Sequence, residues 1–153
     1  MTTIAAKAGQ IASDTQATGD YMLRVQKIVN LPDGGVAGGC GHWSRAWAGL
    51  QWLVGGEEGP PPKIKGAALL IVRPDGSLWL AEDEFPAYPL LDKFAAIGAG
   101  AQAAMAAMDG GADAVKAVQV ACKLDAYTSA PVQVLSISPK KRKGRQRNGA
   151  EGC

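Results

Sequence analysis

The order of elements in this 153-residue chain predicts an α+β fold of antiparallel sheets in four layers: helix, sheet, sheet, helix. Three observations carry that expectation. Short β-prone runs are joined by tight turns containing Gly or Asp, one amphipathic helix interrupts them, and two Ala-rich helices precede a closing strand.

The first element is a hairpin. Two β-prone runs flank Ala8-Gly9, and a two-residue loop there pairs Lys7 with Gln10, so counting back along the ladder sets Asp14 opposite Thr3. Gly19-Asp20 marks a turn, after which Val25 to Leu31 alternates as a strand. Pro32-Asp33-Gly34-Gly35 then reverses the chain as a four-residue loop pairing Leu31 with Val36, which sets Val29 opposite Gly38 and Lys27 opposite Cys40. From His42 to Leu53, the apolar residues Trp43, Ala46, Trp47, Leu50, Leu53 and Val54 recur at helical spacing, and the stripe is read as core; Gly55-Gly56 ends the helix. Pro60-Pro61-Pro62 lies in an extended connector. Gly66 to Arg73 and Ser77 to Ala81 form a hairpin around Pro74-Asp75-Gly76, with the first strand apolar enough to be covered on both faces. Phe94 to Ile97 is a short strand, Ala101 to Met108 and Ala112 to Leu124 are helices, and Val132 to Ile137 closes the fold.

Bulk properties narrow the function classes. The length suits one domain, residues 1–138, with a core of ordinary size; the remaining residues, 139–153, form a basic tail expected to be disordered. The formal net charge is +2, and the tail holds much of the positive excess, so nucleic-acid binding by the body is not expected. Three cysteines and one histidine without paired ligand spacing support neither a disulfide framework nor a metal site, and no cofactor is implied. No signal-like or membrane-length apolar run is present, so a soluble, cytoplasmic protein is expected.

The amino terminus carries chemistry. Met1 precedes the small residue Thr2, and its removal by a methionine aminopeptidase leaves a hydroxyl and a free α-amine on one residue, a nucleophile with its own base. An α-amine titrates at about 7.7 to 8.0, so part of it is neutral at cellular pH. Cys40 has no base nearby in sequence except His42, which makes a Cys/His peptidase the weaker alternative.

Five strings occur in a telling order: Thr2-Thr3-Ile4, Ala12 to Thr18, Gln26-Lys27-Ile28, Val36 to Gly41 and Ala96 to Gly100. Together they resemble proteasome β-subunits and HslV, the threonine-peptidase branch of the N-terminal nucleophile (Ntn) hydrolases, in a compact bacterial or phage-type version spanning residues 2 to 137. The resemblance implies the αββα sandwich, here with a reduced helix layer, because a single helix and a proline connector stand where the family usually carries two helices.

It also implies roles. Thr2 becomes the nucleophile, Asp14 orients the terminal amine and the lysine, Lys27 favours the alkoxide, and the Gly38 amide stabilises the oxyanion. Asp125 and Thr128 match the family's aspartate and hydroxyl residue near the amine, and Ala17, Thr18, Val36 and Cys40 fall around the substrate pocket. Ala99 departs from the pattern, because the family usually has a serine there whose hydroxyl bonds the amine. The implied protein is a peptidase in a homo-oligomeric ring acting on polypeptides, with an ATPase unfoldase as an expected partner. An amidohydrolase for a small amide, a catalytically impaired scaffold and a tail-borne nucleic-acid binder stay open as alternatives.

Overall fold

The computed structural model describes residues 2–138; Met1 and the basic tail lie outside them. The first hairpin joins β1 (Thr3–Lys7) to β2 (Gln10–Ser13) through Ala8 and Gly9, both at positive φ (52° and 78°) as this tight turn demands. Its register is the expected one: Lys7 pairs with Gln10 and Ile4 with Ser13, and the Asp14 N–H donates to the Thr3 carbonyl at 3.2 Å. A small hairpin of β3 (Gln16–Thr18) and β4 (Met22–Arg24) follows; β4 has no sequence signal beyond the turn at Gly19-Asp20.

The next hairpin corrects the expected register by one residue. In β5 (Ile28–Asn30) and β6 (Val36–Gly41), Asn30 pairs with Val36 and Ile28 with Gly38, and the Gly39 N–H reaches the Lys27 carbonyl at 3.1 Å. Lys27 therefore lies opposite Gly39, not Cys40. The cause is the loop. Leu31 closes it on Gly35 through an N–H···O bond of 2.8 Å, Gly34 takes φ 94°, and Asp33 accepts from the Gly35 N–H, so three residues turn the chain instead of four.

Helix α1 (Trp43–Val54) buries Ala46, Gly49, Leu50 and Leu53, whereas Trp47 and Val54 lie at its rim, each more than a third exposed. The apolar stripe is thus narrower than the sequence periodicity suggests. Strands β7 (Ile64–Val72) and β8 (Leu78–Pro89) meet around the Pro74-Asp75-Gly76 turn, and β8 runs well past the expected Ala81. Its extension is acidic and contains two prolines, so neither alternation nor β-propensity marks it. Strand β9 (Phe94–Gly98), helices α2 (Ala101–Asp109) and α3 (Ala114–Leu124), and strand β10 (Gln133–Ser136) complete the described chain.

One sheet has the order β10-β2-β1-β9 and the other β5-β6-β7-β8, with β3-β4 standing apart. Three apolar clusters tie these elements together. Ala46, Leu50 and Leu53 of α1 pack with Leu69 and Ile71 of the second sheet; Ile4 and Ile11 meet Ile28, Val36 and Leu70 between the sheets; Ala5 and Ala12 meet Ala104, Met108, Ala117 and Val118 of α2 and α3. Even-numbered β1 residues thus face the second sheet and odd-numbered ones face α2 and α3, the period-two alternation of a strand covered on both sides. Lys7 fastens α2 by donating to the Met108 and Ala112 carbonyls at 3.1 and 2.9 Å while its ammonium stands over the Phe94 ring.

Candidate active site

The polar groups gather where β1 begins and β2 ends. Of the residues singled out from sequence, Thr2, Asp14, Lys27 and Thr128 are all buried here, at 5, 0, 1 and 2% exposure. Asp14 is the hub. Its Oδ1 accepts from the Thr3 N–H and from Lys27 Nζ, both at 3.0 Å, and its Oδ2 accepts from the backbone N–H groups of Gln16 at 3.2 Å and Ser129 at 3.4 Å. A buried carboxylate with four donors is fully satisfied.

Lys27 points inward. It also donates to the Gln16 carbonyl, so β3 and the loop after β2 hold its ammonium in place. Burial lowers its pKa from the ordinary lysine value, and the neighbouring Asp14 carboxylate opposes that shift. Gln16, itself 4% exposed, thus contacts both ions through its backbone. Sequence reasoning passed over it because backbone groups leave no residue-type signature.

The helix-facing side of β1 carries a second group. Thr3 Oγ1 lies 2.7 Å from Thr128 Oγ1, and the Thr128 hydroxyl donates to Asp125 Oδ2. Gly100 makes room for this contact: a Cβ there would stand 2.2 Å from Thr3 Oγ1 and 2.9 Å from the Ala121 Cβ. Gly98, at φ 98°, passes so close to Thr2 that a Cβ would sit 1.9 Å from the Thr2 carbonyl oxygen. Between these glycines lies Ala99, which is exposed. Ser129 Oγ, also near Asp14 by its backbone, is buried with no hydrogen-bond partner among the described residues.

The remaining sequence candidates spread along β3 and β6. Gly38 lies between the sheets, where a Cβ would come within 2.9 Å of both Ile4 Cγ2 and Ile28 Cγ2. Val36 shares that side and belongs wholly to the intersheet cluster. Cys40, 7% exposed, is near enough to Lys27 for their charges to interact, but burial outweighs that cation and the Ala68 N–H and pushes the thiol up to about 11. A thiol so strongly protonated is a poor nucleophile at neutral pH. His42 Nδ1 lies 3.2 Å from Ser44 Oγ, an exposed contact at the start of the helix. Ala17 is half-buried and Thr18 is exposed on β3.

The arrangement defines an α+β protein of antiparallel sheets with a buried Lys–Asp pair beside its amino terminus. Solved structures extend that description. The chain superimposes on Thiobacillus denitrificans BPH in complex with epoxomicin with a TM-score of 0.65 at 20% identity, covering 90% of this chain and 99% of that one. A second BPH structure gives 0.63 at 18% identity over 91% and 99%, and the eukaryotic HslV of Trypanosoma brucei gives 0.63 at 20% over 88% and 99%. This is the fold of the HslV-type, proteasome-like peptidases. No protein-family model and no curated protein sequence matches the chain.

Proposed function

We propose that this protein is a threonine-type peptidase of the proteasome/HslV kind, an Ntn hydrolase working with Thr2 once Met1 is removed. The observation that carries the reading is the buried ion pair of Lys27 and Asp14, bonded to the amide of Thr3 directly after the proposed nucleophile. A buried lysine whose pKa is lowered by desolvation and which is held by one carboxylate is the kind of group that functional sites arrange. The three apolar clusters support the four-layer αββα arrangement, with α1 alone forming the reduced outer layer.

In this reading Thr2 Oγ attacks a peptide carbonyl carbon while its proton passes to the Thr2 α-amine. The tetrahedral oxyanion is met by the Gly38 amide, and collapse expels the leaving amine, which takes the proton and leaves an ester on Thr2. Water then cleaves the ester and regenerates the hydroxyl. Lys27 supplies the positive charge that favours the alkoxide, Asp14 fixes Lys27, and Asp125 with Thr128 supports the terminus. Ala17, Thr18 and Cys40 are the proposed pocket positions, whereas Val36 is enclosed between the sheets and does not line it; none of the three is charged, which favours apolar side chains before the cleaved bond. A homo-oligomeric ring in the cytoplasm, fed by an ATPase unfoldase, is the setting we assign to it.

The test is covalent labelling. Intact mass after expression should show loss of Met1, and epoxomicin, the compound bound by T. denitrificans BPH, should add once to Thr2 and not to the Thr2→Ala variant. A free Thr2 terminus that neither labels nor cleaves peptides overturns the peptidase reading. It would favour instead a catalytically impaired scaffold, the reading to which Ala99 points.

A further inference from the structure

We infer that Thr3 is a positioning residue, whose hydroxyl, acting through Thr128 onto Asp125, locks the first residue of β1 and so holds Thr2 in its reactive place. The inference rests on the proposal that Thr2 is the nucleophile.

The contacts define a direction. A carboxylate only accepts, so the Thr128 proton is committed to Asp125 and the Thr3 hydroxyl is the donor in the 2.7 Å contact with Thr128. The result is a relay from Thr3 to Thr128 to Asp125, joining residues 125 positions apart in the chain. Thr3 is fully buried, and its amide is used as well, donating to Asp14 Oδ1 at 3.0 Å. Both polar ends of one residue are therefore anchored, one to the side that carries Lys27 and the other to the loop after α3.

The packing around the relay leaves little slack. A Cβ at Gly100 would collide with Thr3 Oγ1 and the Ala121 methyl, and one at Gly98 with the Thr2 carbonyl, so both positions admit only glycine beside the start of β1. Thr3 is fully enclosed, so moving it requires breaking the relay or its amide bond to Asp14. Thr2 follows immediately from Thr3 through one planar peptide bond, which transmits that restraint. Where Ala99 withholds the serine hydroxyl, the relay offers an alternative means of ordering the terminus, acting on the neighbouring residue instead of on the amine.

The experiment compares Thr3→Val, which keeps the shape and removes the hydroxyl, with Thr3→Ser, Thr128→Val and the double variant Thr3→Val/Thr128→Val. Peptide cleavage is measured beside hydrogen exchange of the Thr3 amide. The expected result is a fall in kcat of about tenfold or more in Thr3→Val with KM within about twofold, since misplacing a reacting group by about 1 Å can cost about a hundredfold. Thr3→Ser should restore most of kcat, and the double variant should be no worse than either single change, because the hydroxyls act as one unit. Thr3 amide exchange should accelerate in Thr3→Val and not in Thr3→Ser. An unchanged kcat in Thr3→Val, with cleavage abolished in Thr2→Ala, overturns the relay and leaves the peptidase reading standing. Cleavage that survives in Thr2→Ala, or is missing in the parent protein, overturns the reading; the exchange data then decide whether the relay orders β1, and unaltered exchange in Thr3→Val overturns that too.

Discussion

Asp14 Oδ1 accepts two hydrogen bonds at the same length, one from Lys27 Nζ and one from the Thr3 amide, each 3.0 Å. One oxygen thus links the buried cation to the strand that begins beside Thr2, and a change at either partner is felt at the other.

Removing one ion of this pair strands the other in the interior. Lys27→Met or Asp14→Ala is expected to destabilise the fold by about 3 to 5 kcal/mol, the usual cost of leaving a buried charge without its counter-ion. Lys27→Met/Asp14→Asn, which removes both charges, should recover a good part of that loss while remaining inactive. Urea denaturation beside peptide-cleavage assays measures both effects.

Alkaline pH acts on two buried groups with opposite sign. Cys40 is raised to about 11 in the folded state against an ordinary 9.0, so its contribution is fully present below 9.0 and is lost as pH rises through 11. That amounts to something on the order of 2 to 3 kcal/mol. Lys27 is lowered in the folded state, so its penalty is relieved as pH climbs toward 10.5. Cys40→Ala should therefore lose the downward slope of stability between pH 9 and 11, as read by denaturation midpoints at a series of pH values.

The glycines that frame the terminus tolerate no side chain. Gly98→Ala combines a positive φ, costing about 1 to 3 kcal/mol, with a Cβ on the Thr2 carbonyl, and should be the most damaging Gly→Ala change among the described residues. Gly76→Ala provides the control, since its φ is similar at 86° but no atom lies within 4 Å of the added carbon. Thermal melts of the two variants should separate steric collision from backbone strain.

Placing a serine at position 99, as the proposed peptidase reading suggests, tests what the alanine there does. Ala99 is exposed, so Ala99→Ser should leave the melting temperature nearly unchanged. If proton transfer at the terminus is limiting, kcat rises by about tenfold or more, within the range that a placed acid or base contributes. An unchanged kcat assigns the ordering of the terminus to groups already present.

The sequence by itself determined the first hairpin and its consequence. Ala8-Gly9 is a two-residue turn, which fixes the parity of every pair behind it and brings Asp14 to Thr3. It also determined the helix positions to within a residue or two, because alternation and helical periodicity are written within a few neighbouring residues. The loop at Pro32 to Gly35 was harder to read, since consecutive glycines allow three- and four-residue turns alike, and one residue of difference moved Lys27 from Cys40 to Gly39. Only the tertiary structure decided that Thr3 meets Thr128, that Gln16 closes around Lys27 through its backbone, and that Val36 lies wholly in the core. Those contacts arise when the loop after α3 packs onto the start of β1, and no local turn or period encodes which distant hydroxyl or carbonyl arrives there.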